Sequence, residues 1–522
     1  MGKEKTNANL GFEKQIWDAA CVLWGHIPAA EYRKVIIGLI FLRYISCVFE
    51  KKYNQLVSEG EGFENDRDAY LEDNVFFVPE EARWDTIAKA AHKPEIGNVI
   101  DDAMRAIERE NSALKNVLPK NYGNPDLDKK VLGDVVDLFT NEIHMDDTEE
   151  SKDLLGRTYE YCIAQFAEVE GTSGGEYYTP ASIVKIIVSI LKPFEDCRVY
   201  DPCCGSGGMF VQSEKFLEAH GGRRGHLSVY GQEANADTWK MAKINMAIRG
   251  IDADFGPYHA DTFGQDLHPT LKADFIMANP PFNQKAWRAE NELKDDPRWV
   301  GYDVPPTSNA NYGWILNIVS KLSANGTAGF LLANGALSGD GTELAIRKQL
   351  LLNKVVEAIV ILPRNMFYST DISVTLWILN NNKKARNVEQ NGKLVKYRSR
   401  EDEVLFIDLR QWGEPFEKKY IQFSQEQIQQ IAKNYHNWQR EGYEQTYHNE
   451  PEYCYSATID EIEQKGWSLV PSKYIEFKNR DEQIDFDTKM RQLQAEMSDL
   501  LKQEEESKQA LKSLFEKLGY TL

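Results

Sequence analysis

No apolar run of 18 residues occurs in this 522-residue chain, so no segment reads as a membrane-spanning helix. The start, Met1-Gly2-Lys3-Glu4-Lys5, is followed by no apolar stretch, and no signal peptide is expected. Gly2 with Thr6 fits the loose myristoylation pattern, but no second membrane signal accompanies it and no membrane partner is expected. Cysteine is sparse. The seven residues at 21, 47, 162, 197, 203, 204 and 454 form no Cys-x-x-Cys pair and have no histidine cluster beside them. A structural zinc is therefore not expected, and no metal ligand is assigned. Adjacent Cys203 and Cys204 read as small packed thiols in a reducing compartment, which points to the cytoplasm. Positive charge is in deficit, with 61 Lys and Arg against 81 Asp and Glu and a net charge of −20. That argues against unaided tight binding to a nucleic-acid backbone, so a nucleic-acid substrate would call for a more basic partner.

What is present is an ordinary globular composition, 42% hydrophobic and 27% charged, long enough for three or four domains. Residues 1–150 read as a helical N-terminal domain. Phe12, Ile16, Ala19 and Leu23 have amphipathic spacing, Tyr32 to Phe49 is a denser apolar helix, and further helices are predicted near 81–90, 98–117 and 127–140. Residues 151–400 alternate between the two periods. A helix is expected at 154–168, and strands near 197–200, 227–231, 256–260, 273–278, 327–333, 355–361 and 373–379. Helices are expected at 207–220, 236–249, 311–323 and 342–353. That succession predicts an α/β fold with a doubly wound, Rossmann-like sheet.

The polar stretch 380–400 reads as a loop or hairpin. Residues 401–480 continue the core with a strand near 404–407, a helix from about Ser424 and a compact segment at 467–475. Residues 481–522 form a helical tail. Phe486, Met490, Leu493, Met497, Leu500, Leu511, Leu514 and Leu518 follow three-four spacing, interrupted by Glu504 and Ser507. So narrow an apolar stripe wants a partner helix, in this chain or in another.

The chemistry sits at two predicted strand ends. The first strand closes on Asp201-Pro202-Cys203-Cys204-Gly205-Ser206-Gly207-Gly208, where the glycines let backbone pass close to a ligand. This is neither the GxGxxG dinucleotide fingerprint nor a phosphate loop, because no Lys-Ser/Thr pair follows. Glu233 ends the next strand, where it can accept both ribose hydroxyl hydrogens of an adenosine, and Asp261 is placed to bind the adenine amino group. An adenosine without phosphates suits S-adenosyl-L-methionine, with its sulfonium close to Asp201 and its methionine end near Tyr177-Tyr178-Thr179-Pro180. Thr179 also reads as the cap of a following helix, with Pro180 in its first turn. At the second strand end stands Asn279-Pro280-Pro281-Phe282. The Asn279 carboxamide oxygen and the Pro280 carbonyl, stiffened by two prolines, can accept from one exocyclic amino group and orient its lone pair toward a methyl. Phe282 offers a stacking face for an extruded base.

These motifs resemble those of the N6-adenine DNA methyltransferases, most closely the modification (M) subunit of type I restriction-modification systems. Residues 201–208 match the family's cofactor motif, with Cys203 where alanine is common, and 279–282 match its Asn-Pro-Pro-Phe motif. Residues 177–180 match its aromatic-Tyr-Thr-Pro element, and this order is that of the gamma class. The stretch from Leu362-Pro363-Arg364-Asn365-Met366-Phe367 through Leu376 also looks like this family, and the likeness spans nearly the whole chain. The resemblance implies that Asp201, Pro202, Gly205, Ser206, Gly207, Gly208, Glu233, Asp261 and 177–180 bind the cofactor, and that 279–282 carry transfer to a flipped adenine in double-stranded DNA. It also implies an assembly of two M subunits with a specificity (S) subunit that reads the sequence, and a restriction (R) subunit that cleaves. Because Asn-Pro-Pro-aromatic sites in related families also modify RNA bases and glutamine side chains, those acceptors remain alternatives. A non-catalytic assembly scaffold is a third.

Overall fold

The computed structural model describes residues 29–60, 62–71, 75–141, 179–223, 225–367, 371–390, 393–416, 420–477 and 486–517. The expected features at 12–23, 154–168, Tyr177 and Tyr178, and the 150/151 boundary lie outside the described residues. The chain divides into two compact units, Met1–Ile475 and Glu476–Leu522.

Three long helices, α1 (Ala29–Glu59), α2 (Ile96–Glu110) and α3 (Lys129–Asn141), build the first layer. Residues 35–42 of α1 are all buried, so this stretch of the helix is apolar on every side and runs through its cluster. The predicted helix 98–117 stops at Glu110. Asn111 leaves the helical conformation, and its Nδ2 donates to the Ile107 carbonyl at 2.8 Å and to the Phe77 carbonyl at 2.9 Å. Trp84 locks the layer together, its backbone N–H donating to Ser46 Oγ and its indole N–H to Thr140 Oγ1.

The α/β region follows as α4 (Ala181–Leu191), β1 (Arg198–Asp201), α5 (Gly208–Ala219), β2 (Ser228–Gly231), α6 (Ala236–Ile248), β3 (Ala253–Asp254) and β4 (Ala273–Ala278). Then come α7 (Asn311–Lys321), β5 (Leu322–Ala333), α8 (Thr342–Leu352), β6 (Val356–Ile361) and β7 (Val374–Asn380). A hairpin of β8 (Arg386–Gln390) and β9 (Lys393–Tyr397) precedes β10 (Glu403–Asp408). Strands β11 (Glu414–Phe416) and β12 (Tyr420–Gln422) pair with each other, and α9 (Gln425–Gln439) and β13 (Cys454–Thr458) complete the unit. Ser424 begins α9 with a capping box to Gln427, as its sequence position suggests.

Nine strands form one sheet in the order β3-β2-β1-β4-β5-β7-β6-β10-β13. It is mostly parallel, but β7 runs antiparallel between β5 and β6, and β13 antiparallel to β10. Residues 401–475 thus extend the same sheet. Along β4, Phe275 and Met277 face α4, α5 and α9, whereas Ile276 and Ala278 face α7 and α8, the two-residue alternation of a strand buried on both faces. Met241, Ile244 and Ile248 of α6 join the helical layer's core, which fixes that layer against the sheet domain.

Two local expectations fail. No strand forms at 256–260, because Gly256 turns at φ +70° and its N–H bonds Asp254 Oδ1, closing β3 after two residues. Thr179 does not cap α4: Pro180 holds the cap position, with no side-chain cap bond.

In the second unit, α10 (Phe486–Lys517) is a single helix of 32 residues. Met490, Leu493, Met497, Leu500, Leu511 and Leu514 are all exposed along it. No described helix is long and apolar enough to cross a membrane.

Candidate active site

From β1 the chain runs to β2 and β3 on one side, then returns through β4 on the other. The crevice at that reversal, outside the C-terminal strand ends, is where open α/β sheets take ligands. Asp201 ends β1 and Asn279 follows β4 directly, so both face this crevice end. The turn after Asp201 needs its glycines. Gly205 and Gly207 adopt φ of +52° and +80°, and a Cβ on Gly207 would lie 2.8 Å from Met246 Cε. Ser206 is buried in the same turn, and Gly208 opens α5.

The loops are laced together. Asp201 Oδ1 accepts from the Cys203 N–H at 3.0 Å. Glu233 Oε2 accepts from the Gly205 N–H at 3.1 Å, and its Oε1 from the Asn235 N–H at 2.8 Å. The loop carrying Asp261 is tied to the first turn by Thr262 Oγ1, which donates to the Pro202 carbonyl. Asp261 itself is exposed, its Oδ2 accepting from the Gly264 N–H at 2.6 Å.

Asn279 meets the element that precedes α4. Its Nδ2 donates to Thr179 Oγ1 at 3.0 Å, whereas its Oδ1 is buried and accepts no hydrogen bond from the protein. Thr179 and Pro180 are therefore beside the transfer motif, 100 residues away in sequence. Pro280 is buried, and Phe282 packs edge-to-face on Phe367 with ring centroids 6.0 Å apart. Behind Phe282, Asn283 takes φ +52°, a conformation that asparagine tolerates. Asn311, at the start of α7 and 1% exposed, holds it from both sides. Asn311 Nδ2 donates to Asn283 Oδ1 at 3.0 Å, and the Asn283 N–H donates to Asn311 Oδ1 at 3.1 Å.

Charge at this end is acidic and uncompensated. Burial raises the Asp201 carboxyl from 3.8 to about 7, aided by the nearby Glu233 charge and opposed by Cys203. Burial also raises Glu233, against the lowering effect of the Asn235, Gly205 and Ala234 amides. No Lys or Arg is among the groups acting on either carboxyl. A buried carboxylate without a cationic partner is costly, so a cationic ligand is what this crevice suits.

Several structural partners had no sequence signal. Gln232, fully buried, donates to the Ala260 and Gln265 carbonyls and accepts from the Leu267 N–H, shaping the loop that carries Asp261. Asn245 of α6 donates to the Ser206 carbonyl at 2.6 Å. Asn311 lies 28 residues from its partner. Only the complementarity of asparagines at 283, 309 and 311 could have hinted at that clamp.

The sheet order, with its antiparallel β7, and the glycine turn at the reversal define an S-adenosylmethionine-dependent type of methyltransferase fold. The model of the N-6 DNA methylase family matches residues 150–483, and that of the HsdM N-terminal domain matches 12–139. The chain is 39% identical to the type I restriction enzyme HindI methylase subunit of Haemophilus influenzae over 469 residues, covering 85% of this chain and 100% of that protein. It is 34% identical to the MjaIX methylase subunit of Methanocaldococcus jannaschii over 532 residues, covering 98% and 92%. In fold it is similar to a type I restriction-modification methyltransferase subunit from Streptococcus thermophilus, with a TM-score of 0.71, 21% identity, and coverage of 89% of this chain and 99% of that one. The chain belongs to the N-6 DNA methylase family, and within it to the methylase subunits of type I restriction enzymes. It is an adenine-specific DNA methyltransferase subunit.

Proposed function

We propose that the crevice between β1 and β4 binds S-adenosylmethionine and that Asn279-Pro280-Pro281-Phe282 presents an adenine of double-stranded DNA to it. The cofactor would supply an electrophilic methyl on a sulfonium. Glu233 would accept from the ribose hydroxyls, exchanging its bond to the Gly205 amide, and Asp261 from the adenine amino group of the cofactor. The turn 201–208 would lie along the nucleoside, with Asp201 near the positive charge. Tyr177, Tyr178, Thr179 and Pro180 would enclose the methionine end.

Asn279 Oδ1 and the Pro280 carbonyl would each accept one hydrogen of the target N6 amino group, which turns the nitrogen lone pair toward the methyl. Forming the N–C bond as the sulfonium S–CH3 bond breaks would leave the nitrogen cationic and a neutral thioether as leaving group, so an amino proton would pass to solvent afterwards and no strong base would be required. The two acceptors stabilise that charge as it develops. Phe282 would stack on the extruded base. The observation that carries this reading is the buried Asn279 Oδ1, held in place through Thr179 yet given no donor by the protein.

In this reading the chain works in the cytoplasm beside a second copy, a specificity subunit that selects the DNA sequence, and a restriction subunit. The exposed stripe of α10 is the surface offered for assembly. Transfer of labelled methyl from S-adenosylmethionine to duplex DNA, by the chain alone and by the chain with its co-purifying partners, tests it. N6-methyladenine in the partnered sample is expected. Label appearing only in cytosine, RNA or protein would reject it.

A further inference from the structure

On the face of the sheet covered by α4, α5 and α9, these three helices enclose a groove of about 520 Å³. It adjoins a second hollow of about 660 Å³ that reaches the N-terminal ends of β1 and β4 at Arg198 and Asp274. Lys192, His436 and Arg440 line both. This is the end of the sheet away from the methyl-transfer crevice.

The charge of the first groove is unlike that of the chain. Lys185, Lys192, Lys215, Lys433 and Arg440 line it and no carboxylate does, although the chain carries twenty more acidic than basic residues (81 − 61). Lysines at helix C-termini are ordinarily explained by the last carbonyls of the helix. That explanation does not cover Lys192. Its half-buried ammonium makes no hydrogen bond or ion pair among the described residues, and burial together with the Arg440 charge pulls its pKa down. His436, between them, is held down to about 4 by burial, by Lys192 and by Arg440. Gln212 supplies an independent sign of a ligand. Its side chain is 8% exposed, lines the groove, and has no hydrogen-bond partner among the described residues. Val188, Phe216, Ala219 and Ala432 add apolar wall.

We propose that this groove is a second site, for a phosphate-bearing ligand of nucleotide size. Its volume is that of a small-molecule cleft. Convergent ammonium groups serve phosphate as point charges, a free amide can orient an oxygen or a base edge, and the apolar wall can carry a ring. A long acidic peptide would match the charge but not the limited volume and partly apolar wall of the groove.

Calorimetric titration of the full-length chain with inorganic tripolyphosphate tests this, with ATP titrated separately under saturating S-adenosylmethionine to keep adenosine out of the transfer crevice. A 20-residue glutamate peptide is the competing probe. Binding of both phosphates is expected, weakening as salt rises. Lys192→Gln with Arg440→Gln should weaken it at least tenfold, and exposed Lys433→Gln alone by a smaller factor. Lys89→Gln with Lys115→Gln, an equal charge change on the N-terminal helical layer, should alter it less than twofold, and melting temperatures check that each variant folds. No phosphate binding, equal loss in the control variant, or binding of the peptide alone would overturn the proposal.

Discussion

The two ends of this one sheet gather groups of opposite charge type. At the C-terminal ends of β1 and β2, Asp201 and Glu233 are buried with no cation acting on them. Toward the N-terminal ends, Lys192, His436 and Arg440 share a groove with no carboxylate in its wall. Their titration mirrors this. Asp201 is raised to about 7 and His436 lowered to about 4, both chiefly by burial. Two other buried cations are paired: Arg400 and Glu357, both fully buried, meet at 2.8 Å, and Arg298 is bound to Asp296 at 2.7 Å. On the proposed reading, the contrast marks two places where a ligand would supply the counter-charge.

The largest way to break that reading is at Asp201. Asp201→Asn should weaken S-adenosylmethionine binding by roughly 30-fold or more, the cost of losing one member of a buried charge pair. An unchanged dissociation constant by calorimetry would mean that Asp201 does not face the cofactor's charge. The pH dependence follows with its sign. Because folding raises the Asp201 pKa from 3.8 to about 7, its protonated form stabilises the protein alone. That contribution is complete below about pH 4 and is lost as pH rises through about 7. With Asp201 in its proposed role, cofactor binding would need the charged form and should run the other way, strengthening up to about tenfold per pH unit between 6 and 7 and levelling above. Asp201→Asn should flatten this profile. His436 has the reverse dependence: the stability of its neutral form is present above pH 6.5 and lost as pH falls through about 4.

Smaller effects sharpen the division within the crevice. Asn311→Ala removes two of the hydrogen bonds that hold Asn283 behind Phe282, leaving the one from Asn309 Nδ2 at 3.3 Å, and should cost about 2 kcal/mol of stability. It should also raise KM for DNA more than it changes cofactor affinity, and equal effects on both would remove the clamp from target-base placement. Thr179→Val removes one hydrogen bond to Asn279, about 1 kcal/mol, and should lower kcat about fivefold with the protein's melting temperature little changed. A kcat equal to that of the parent chain would show that Asn279 keeps its orientation without Thr179.

Much of this was legible where the signal is local. The apolar run 273–278, closed by Asn-Pro-Pro, predicted β4 and its end correctly, and the runs near 355–361 and 373–379 read as strands within a residue of the observed β6 and β7. The antiparallel sense of β7 could not be read, since a fully buried strand shows the same apolar run in either direction. At 256–260 the glycine and Asp254 turn outweighed the apolar flanks. Thr179 falls one residue before the cap position, which Pro180 holds, and its hydroxyl accepts from Asn279, 100 residues downstream. The Asn283–Asn311 clamp and the basic groove depend wholly on tertiary contact. Lys185, Lys215 and Lys433 stand on three helices far apart in sequence, and each alone reads as a solvated surface lysine.

The account rests most directly on Asn279 acting in transfer and not in cofactor binding. In the partnered complex, S-adenosylmethionine affinity and single-turnover methylation of duplex DNA should be measured side by side for the parent chain and Asn279→Ala. The expected result is affinity within about threefold and a transfer rate lower by roughly 10²–10³, the usual loss when one preorganised polar group leaves a developing charge. Full transfer by Asn279→Ala, or parallel loss of binding and transfer in a folded complex, would contradict it.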